Sequence, residues 1–538
     1  MKEWRITIVF ILFSIFTGII IGRLVFIQVI KGDYYKALSQ GLYTSFPTAQ
    51  EERGRIFFKN GESLAINLSF PLVFASPKEI VDKEKTAQSL SENLDLDLNS
   101  VLAALSQEDS FYSLIKKNLS QDEVKKINSL NLKGIYLQEE RGRYYPQEEL
   151  ASQVVGFLNE EGEGQYGLEE FYNDTLKGSE VSKKDIVDLN LTLDYNIQFE
   201  AEELLKKAQK DLEIEKGQIV VIEPASGRVI AMANFPNFNP NKYAEYADKE
   251  SLAIFKNRIT QDLFEPGSVF KPITIASALE EEKITPETTY TDEGFVKIGG
   301  YTIENYDQRS YGQQTITNVL EKSINTGAVF AQRQLGQHLF LKYIEKFGLF
   351  EPSGIDIQET YSENKEIKKG REINFATASF GQGIEITPIQ LVRAYCALAN
   401  GGKLVNPYII ESPKDLKDIK KTEREVISPK TASQLTKMLI NVVENGFAKR
   451  AKIPGYYIAG KTGTAQIAFS ALGIPTRGYS EKTIQSFVGY APAFNPRFVI
   501  LVKLDNPKTK TAEYSAVPIF HDLADYIIRY WKIPPDYE

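Results

Sequence analysis

The 538-residue chain is 42% hydrophobic and 25% charged, the balance of a globular protein that buries a core, with room for about three or four units of ~150 residues. Lys and Arg number 63 against 71 Asp and Glu, a net charge of −8 that argues against a nucleic-acid binder. The single cysteine, Cys396, and the two histidines, His338 and His521, preclude an intrachain disulfide and offer no ligand set for zinc or iron–sulfur, so neither metal nor cofactor is expected.

The predicted elements begin with Ile6 to Gly22, an uncharged run of seventeen residues between Arg5 and Arg23, which Leu24 to Ile30 extends in mostly apolar residues. With Arg23 snorkelling, residues 6–30 are predicted to form an uncleaved membrane anchor, residues 1–5 a cytoplasmic tail, and the bulk of the chain to lie outside. A cleaved signal peptide is the alternative, but no small-x-small site follows closely. Gly18 and Gly22 form a GxxxG pair, either a helix-packing face or ordinary glycine usage in a membrane helix.

Residues 31–80 hold short extended segments, with Asn60-Gly61 as a hairpin turn. Residues 80–130 are polar and helix-prone, and read as a small exposed helical module without a core. Residues 134–178 are turn-rich. From Asp188 onward the pattern changes. Tyr195 to Ala208 reads as a helix, Gln218 to Ile222 as a buried strand, Arg228 to Ala233 as its return and Phe498 to Leu504 as a late strand. The expectation is an α+β protein, with residues 31–187 as one domain and 188–538 as a mixed α/β domain.

Three strings suggest chemistry. Gly162 to Gly167 spells GxGxxG, but Glu160, Glu161, Glu163, Glu169 and Glu170 surround it and would repel a pyrophosphate, so a structural loop is the better reading. Gly455 to Thr462 spells a phosphate-loop motif, but no strand precedes it and Gly463 opposes a helix after it. The third string reads Lys461 differently. Lys461-Thr462-Gly463-Thr464 is the one Lys-Thr-Gly of the chain, and Ser268-Val269-Phe270-Lys271 and Ser323-Ile324-Asn325 lie upstream. Ser113…Lys116 and Ser362…Lys365 also satisfy SxxK, and Ser91…Asn93, Ser129…Asn131 and Ser362…Asn364 satisfy SxN, so order and context decide.

The context of Ser268 is specific. Pro272 is tolerated only in the first turn of a helix, so a helix here begins near Pro266–Ser268. Ser268 then sits at its N-terminus, and Lys271, at i+3, lies on the same face within reach of the hydroxyl. A serine without a histidine can use a neutral lysine as base, provided burial and a neighbouring cation such as Lys461 depress its pKa. Ser323 would relay a proton, and Asn325 would hold a substrate amide. The strand bearing Lys461 to Thr464 would pair with an extended peptide, with Gly463 leaving room for close approach. Lys461 and Thr462 suit a terminal carboxylate, and the backbone N–H groups of Ser268 and Thr464 suit an oxyanion.

SxxK, SxN and KTG in this order resemble the signature of penicillin-binding proteins and β-lactamases. The chain as a whole is similar to the class B penicillin-binding proteins, most of all to the cell-division type. Arg23 to Gln28 with Gly32-Asp33 looks like that family's anchor exit. Arg53-Gly54-Arg55-Ile56 to Asn60-Gly61 looks like its RGxIxDRNG element, with Phe58 and Lys59 in place of the usual Asp-Arg. Arg141, Arg143 to Pro146 and Gly164 to Glu169 resemble its pedestal motifs. Phe264 to Pro272, Gly381 to Gly383 with Thr387-Pro388, and Gly489 to Pro492 match further segments. Ile324 stands where one class of β-lactamases carries Asp.

The resemblance implies a pedestal of mostly β structure with a small helical module, then a transpeptidase domain built on an antiparallel sheet flanked by helices. It implies D,D-transpeptidation of peptidoglycan stem peptides ending in D-Ala-D-Ala, through an acyl-enzyme on Ser268 that β-lactams also form. It places the chain on the bacterial plasma membrane, with a polytopic glycan polymerase and other division or elongation proteins as partners. No polymerase activity is expected in the chain itself, because no histidine precedes His338. Two alternatives stand beside this reading. One is a D,D-carboxypeptidase or β-lactamase, against which the long region before Ser268 argues. The other is a non-catalytic β-lactam-binding scaffold or sensor, for which a five-residue tail would leave no signalling domain.

Overall fold

The computed structural model describes residues 3–26, 53–107, 110–178, 186–246, 252–411, 424–476 and 478–537. The chain forms two compact units, Met1–Arg53 with Ile66–Tyr144, and Gly54–Ala65 with Tyr145–Glu538.

In the first unit, Glu3–Val25 is helical, and Phe10, Phe13, Phe16 and Ile19 on it are 62–70% exposed. No helix among the described residues is long and apolar enough to cross a membrane. Residues 27–30 of the expected anchor, and Gly32 and Asp33 of its exit, lie outside the described residues.

The remainder of this unit corrects the expectation of a coreless module. Lys83–Leu94, Leu98–Leu105 and Gln121–Leu130 are helices, each started by a side-chain cap: Asp82 accepts from Lys85 N, Asp97 from Ser100 N, and Ser120 and Glu123 form a capping box. Their stripes, Leu90, Leu94, Val101, Leu105 and Ile127, close on Val73 and Ala75 as a core of their own. Short helices bury one stripe each, and the strand that covers these stripes is distant in sequence. That strand, Ser63–Ala75, pairs from Ile66 onward with Ile135–Tyr144 in antiparallel register, Ile66 opposite Tyr144. The expected turn-rich 134–178 region therefore opens with a ten-residue strand. Its charged, half-buried residues give no apolar alternation to read. Ser113 and Lys116 lie on a short strand, with Lys116 paired to Glu123 at 2.8 Å.

In the second unit, Ile56–Phe57 turns through Asn60-Gly61 onto Ser63–Ala65 and pairs in parallel with Leu189–Asn190. Phe58 is buried with its ring edge against Tyr195, an apolar contact at the position where the resemblance calls for a polar residue. Gly164 and Gly167 of the GxGxxG string are structural. A Cβ on either would strike backbone, Glu169 O at 1.8 Å and Val154 O at 2.4 Å.

The core of this unit is an antiparallel sheet of β1 (Lys216–Ile222), β2 (Val229–Phe235), β3 (Ala459–Ala468), β4 (Tyr479–Ala491) and β5 (Phe498–Asp505), in the order β3-β4-β5-β1-β2. Strands β1 and β5 are buried on both faces, which explains their unbroken apolar runs. Helices α1 (Tyr195–Leu212) and α6 (Ala516–Tyr530) pack on each other and on the sheet. Helices α2 (Lys271–Glu280), α3 (Asn325–Leu335), α4 (Pro388–Ala399) and α5 (Pro429–Glu444) form a second layer, in which α4 meets β5 and α5 meets β3. Almost every residue of α2 and α4 is buried, so neither shows an amphipathic pattern. Strand β3 is an edge of the sheet, with one row of backbone groups left to other partners.

Candidate active site

The site starts from a proline constraint. Gly267–Phe270 is a single 3₁₀ turn and α2 follows from Lys271, with Pro272 in its first turn, where the missing N–H is not needed. Ser268 is therefore presented at the start of the helix, half-buried, with Lys271 one turn along and fully buried. Lys271 Nζ lies 3.0 Å from Ser268 Oγ.

The turn is held from outside. Gly267, at φ +63°, donates its N–H to Gly381 O at 3.0 Å, and Tyr395 donates its hydroxyl to Val269 O at 2.7 Å from inside α4. Glu265 accepts from Gly383 N at 3.1 Å and from Tyr479 OH at 3.0 Å. Gly381 and Gly383 belong to a segment that sequence matched without a role. Nothing in spacing or periodicity marks Tyr395 or Glu265.

Ser323 ends the turn before α3 in a left-handed conformation, φ +55°, uncommon for a residue with a Cβ. Lys271 Nζ donates to Ser323 O at 2.5 Å and to its Oγ at 3.2 Å. Lys461, on β3 and fully buried, reaches the same Oγ at 2.9 Å and Thr462 O at 3.0 Å. The structure thus brings Ser268, Lys271, Ser323 and Lys461 into one hydrogen-bonded chain. Asn325 opens α3, with its Nδ2 donating to Glu304 O at 3.0 Å.

A cavity of about 380 Å³ opens over this chain, and Ser268, Ser323, Asn325, Thr462 and Thr464 line it. Gly463 does not line it. A Cβ there would meet Ser486 Oγ at 2.6 Å, Val269 Cγ1 at 3.0 Å and Pro266 O at 3.3 Å. The close approach it permits is therefore between β3 and the Ser268 turn, not toward the cavity. Neither His338 nor His521 lines the cavity, and no cluster of metal-ligating side chains occurs among the described residues.

Electrostatics follow from burial. Neither Lys271 nor Lys461 has a carboxylate partner among the described residues. Burial, and then the charge of Lys461, hold the Lys271 amine well below the usual lysine range. Burial alone pushes Lys461 down to about 7. An amine whose proton affinity is lowered, one hydrogen bond from a hydroxyl and beside a second amine, is an arrangement that can activate the hydroxyl as a nucleophile.

Residues 217–525 match the penicillin binding protein transpeptidase domain, and residues 48–191 the penicillin-binding protein dimerisation domain. Stage V sporulation protein D of Bacillus subtilis is 32% identical, with 93% of this chain and 81% of that protein covered. The peptidoglycan D,D-transpeptidase FtsI homolog of Mesostigma viride is 30% identical over 99% of this chain and 96% of its own length. Among solved structures, penicillin binding protein 3 of Mycobacterium tuberculosis complexed with aztreonam superposes with a TM-score of 0.70 at 25% identity, covering 90% of this chain and 97% of that one.

Proposed function

The chain belongs to the class B penicillin-binding proteins of the septal type, and from that membership we propose that it cross-links peptidoglycan stem peptides by D,D-transpeptidation through an acyl-enzyme on Ser268. The observation that carries the reading is the 3.0 Å contact of Ser268 Oγ with Lys271 Nζ, an amine that burial and the charge of Lys461 hold well below the usual lysine range.

In the proposed reaction Lys271 takes the Ser268 proton as Oγ attacks the penultimate D-Ala carbonyl. The backbone N–H groups of Ser268 and Thr464 stabilise the oxyanion. The proton passes through Ser323 to the leaving nitrogen as the carbon–nitrogen bond breaks and terminal D-Ala departs. An amine of a neighbouring stem then attacks the ester carbonyl and gives a proton to Lys271; as the acyl–oxygen bond breaks, Lys271 returns that proton to Ser268 Oγ, which leaves the new amide and the free hydroxyl. Lys461 and Thr462 hold the terminal carboxylate, Asn325 holds a substrate amide, and the free edge of β3 pairs with the extended stem. Gly463 lets β3 reach the Ser268 turn.

The same reading takes residues 31–187 as a pedestal and 188–538 as the transpeptidase domain, supported by the two family matches. It takes residues 6–30 as a single plasma-membrane anchor, with the bulk of the chain extracytoplasmic and a polytopic glycan polymerase as partner. The uncharged run Ile6 to Gly22 and the exposed apolar side chains of its helix support the anchor.

Intact-mass analysis after adding a penicillin tests the reaction. A long-lived adduct on the wild type that Ser268→Ala abolishes is expected. Rapid turnover of the drug would instead mark a hydrolase.

A further inference from the structure

The helix that carries Asn325 starts without a cap of its own. Ile324 occupies the cap position and has no side-chain acceptor, although the first N–H groups of any α-helix need one. The acceptor comes from twenty residues upstream. Asn305 Oδ1 receives Asn325 N at 3.1 Å and Thr326 N at 3.3 Å.

A carboxamide can face either way, and here a buried carboxylate decides. Asp292 is 1% exposed and accepts from Asn305 Nδ2 at 2.9 Å. It also accepts from Gly294 N at 3.0 Å, Tyr311 N at 2.8 Å and Thr326 Oγ1 at 2.6 Å. An ionised carboxylate only accepts, so it draws the NH₂ end of Asn305 toward itself and turns Oδ1 onto the helix. It has no cationic partner among the described residues, and the N-terminus of α3 beneath it supplies the favourable field. Asp292 ends the short strand Thr289–Asp292 and Asn305 directly follows the short strand Tyr301–Glu304, both inserted between α2 and α3.

We propose that Asp292, acting through Asn305 and Thr326, is a positioning residue that sets the Ser323–Asn325 turn for acylation. The inference rests on the reaction proposed above. Ser323 and Asn325 flank Ile324, so the placement of the helix start is the placement of the proton relay and of the amide that grips substrate.

The test is the rate of Ser268 acylation by a fluorescent penicillin in the full chain, with melting temperature measured in parallel. Asp292→Asn lets the Asn305 amide turn over and is expected to slow acylation about 10- to 100-fold at an assay temperature well below its melting point. Asp292→Asn combined with Asn305→Asp restores an acceptor facing the helix and a donor behind it, and is expected to return the rate to within about tenfold of wild type. Thr326→Val deletes one donor to the carboxylate and should slow acylation a few-fold. It carries the test alone if Asp292→Asn does not fold. Rates within about twofold of wild type in the variants that fold, or a slow Asp292→Asn that the paired exchange leaves unimproved, would overturn the inference. A wild type that forms no Ser268 adduct would sink the proposed reaction instead.

Discussion

Lys461 Nζ lies 2.9 Å from Ser323 Oγ, the hydroxyl that Lys271 also reaches at 3.2 Å. Two buried amines on one hydroxyl cannot both carry charge cheaply, and they titrate as a pair. In the reaction proposed above, Lys271 serves as the base and Lys461 as the carboxylate holder, and Lys461 does so while it is charged. Acylation by a penicillin should therefore fall on the alkaline side as Lys461, held down to about 7, loses its proton. Lys461→Arg keeps the charge and should lift that alkaline limb to higher pH. A rate that climbs steadily with pH in the wild type would refute the assignment. The stability sign is also fixed. Between about 7 and 10.5 the unfolded chain keeps a proton that folded Lys461 has lost, so stability rises with pH across that window; buried Lys271 adds to the rise, and Lys461→Met should make it shallower without removing it.

Gly381→Ala tests the support of the nucleophile turn. At φ +82° a Cβ would meet Gly267 O at 2.2 Å and Gly267 N at 2.6 Å, both backbone atoms. Expected are a destabilisation of about 1–3 kcal/mol and a loss of acylation of about 100-fold as Ser268 shifts. Gly401→Ala is the control. Its φ is +83° with nothing within 4 Å, so it should lower the melting temperature and spare acylation.

Tyr395→Phe keeps the ring and removes the hydroxyl that Val269 O accepts at 2.7 Å. A buried carbonyl is left unsatisfied, so about 1–3 kcal/mol of stability should go in urea unfolding. Acylation should drop several-fold, because Val269 adjoins Ser268. An unchanged unfolding midpoint would show that the bond contributes nothing.

Glu202 is buried, accepts from Ala151 N at 2.7 Å, Gln198 Nε2 at 2.8 Å and Asn237 Nδ2 at 3.1 Å, and is pushed up to about 7 by burial. Its folded pKa lies above the ordinary 4.5, so the stability it supplies is complete below that value and is lost as pH rises through about 7. The loss across the window should be about 3 kcal/mol at most, and Glu202→Gln should flatten it. Equal pH slopes for the two proteins in denaturant melts would contradict this.

The uncharged run Ile6 to Gly22 is plain in sequence, and in the structure it lies within the helix Glu3–Val25.

What the sequence determined is what neighbouring residues impose on each other. Pro272 fixed where α2 begins, and helical geometry then placed Lys271 beside Ser268. The apolar runs of β1 and β5 marked a covered sheet, and Lys461 to Thr464 could be placed on a strand. Tertiary structure alone decided that Ser323 joins Lys271, 52 residues away, to Lys461, 138 away, and that Tyr395 braces Val269 from 126 residues off. It also turned Gly463 toward the nucleophile turn, gave the small module its core, and supplied the cap for α3 from Asn305. The physical reason is range. Helix and strand preferences act over a few residues and leave a periodic trace, whereas a hydrogen bond between distant residues requires only that packing bring two groups within 3 Å or so, and leaves no pattern in the order of the chain.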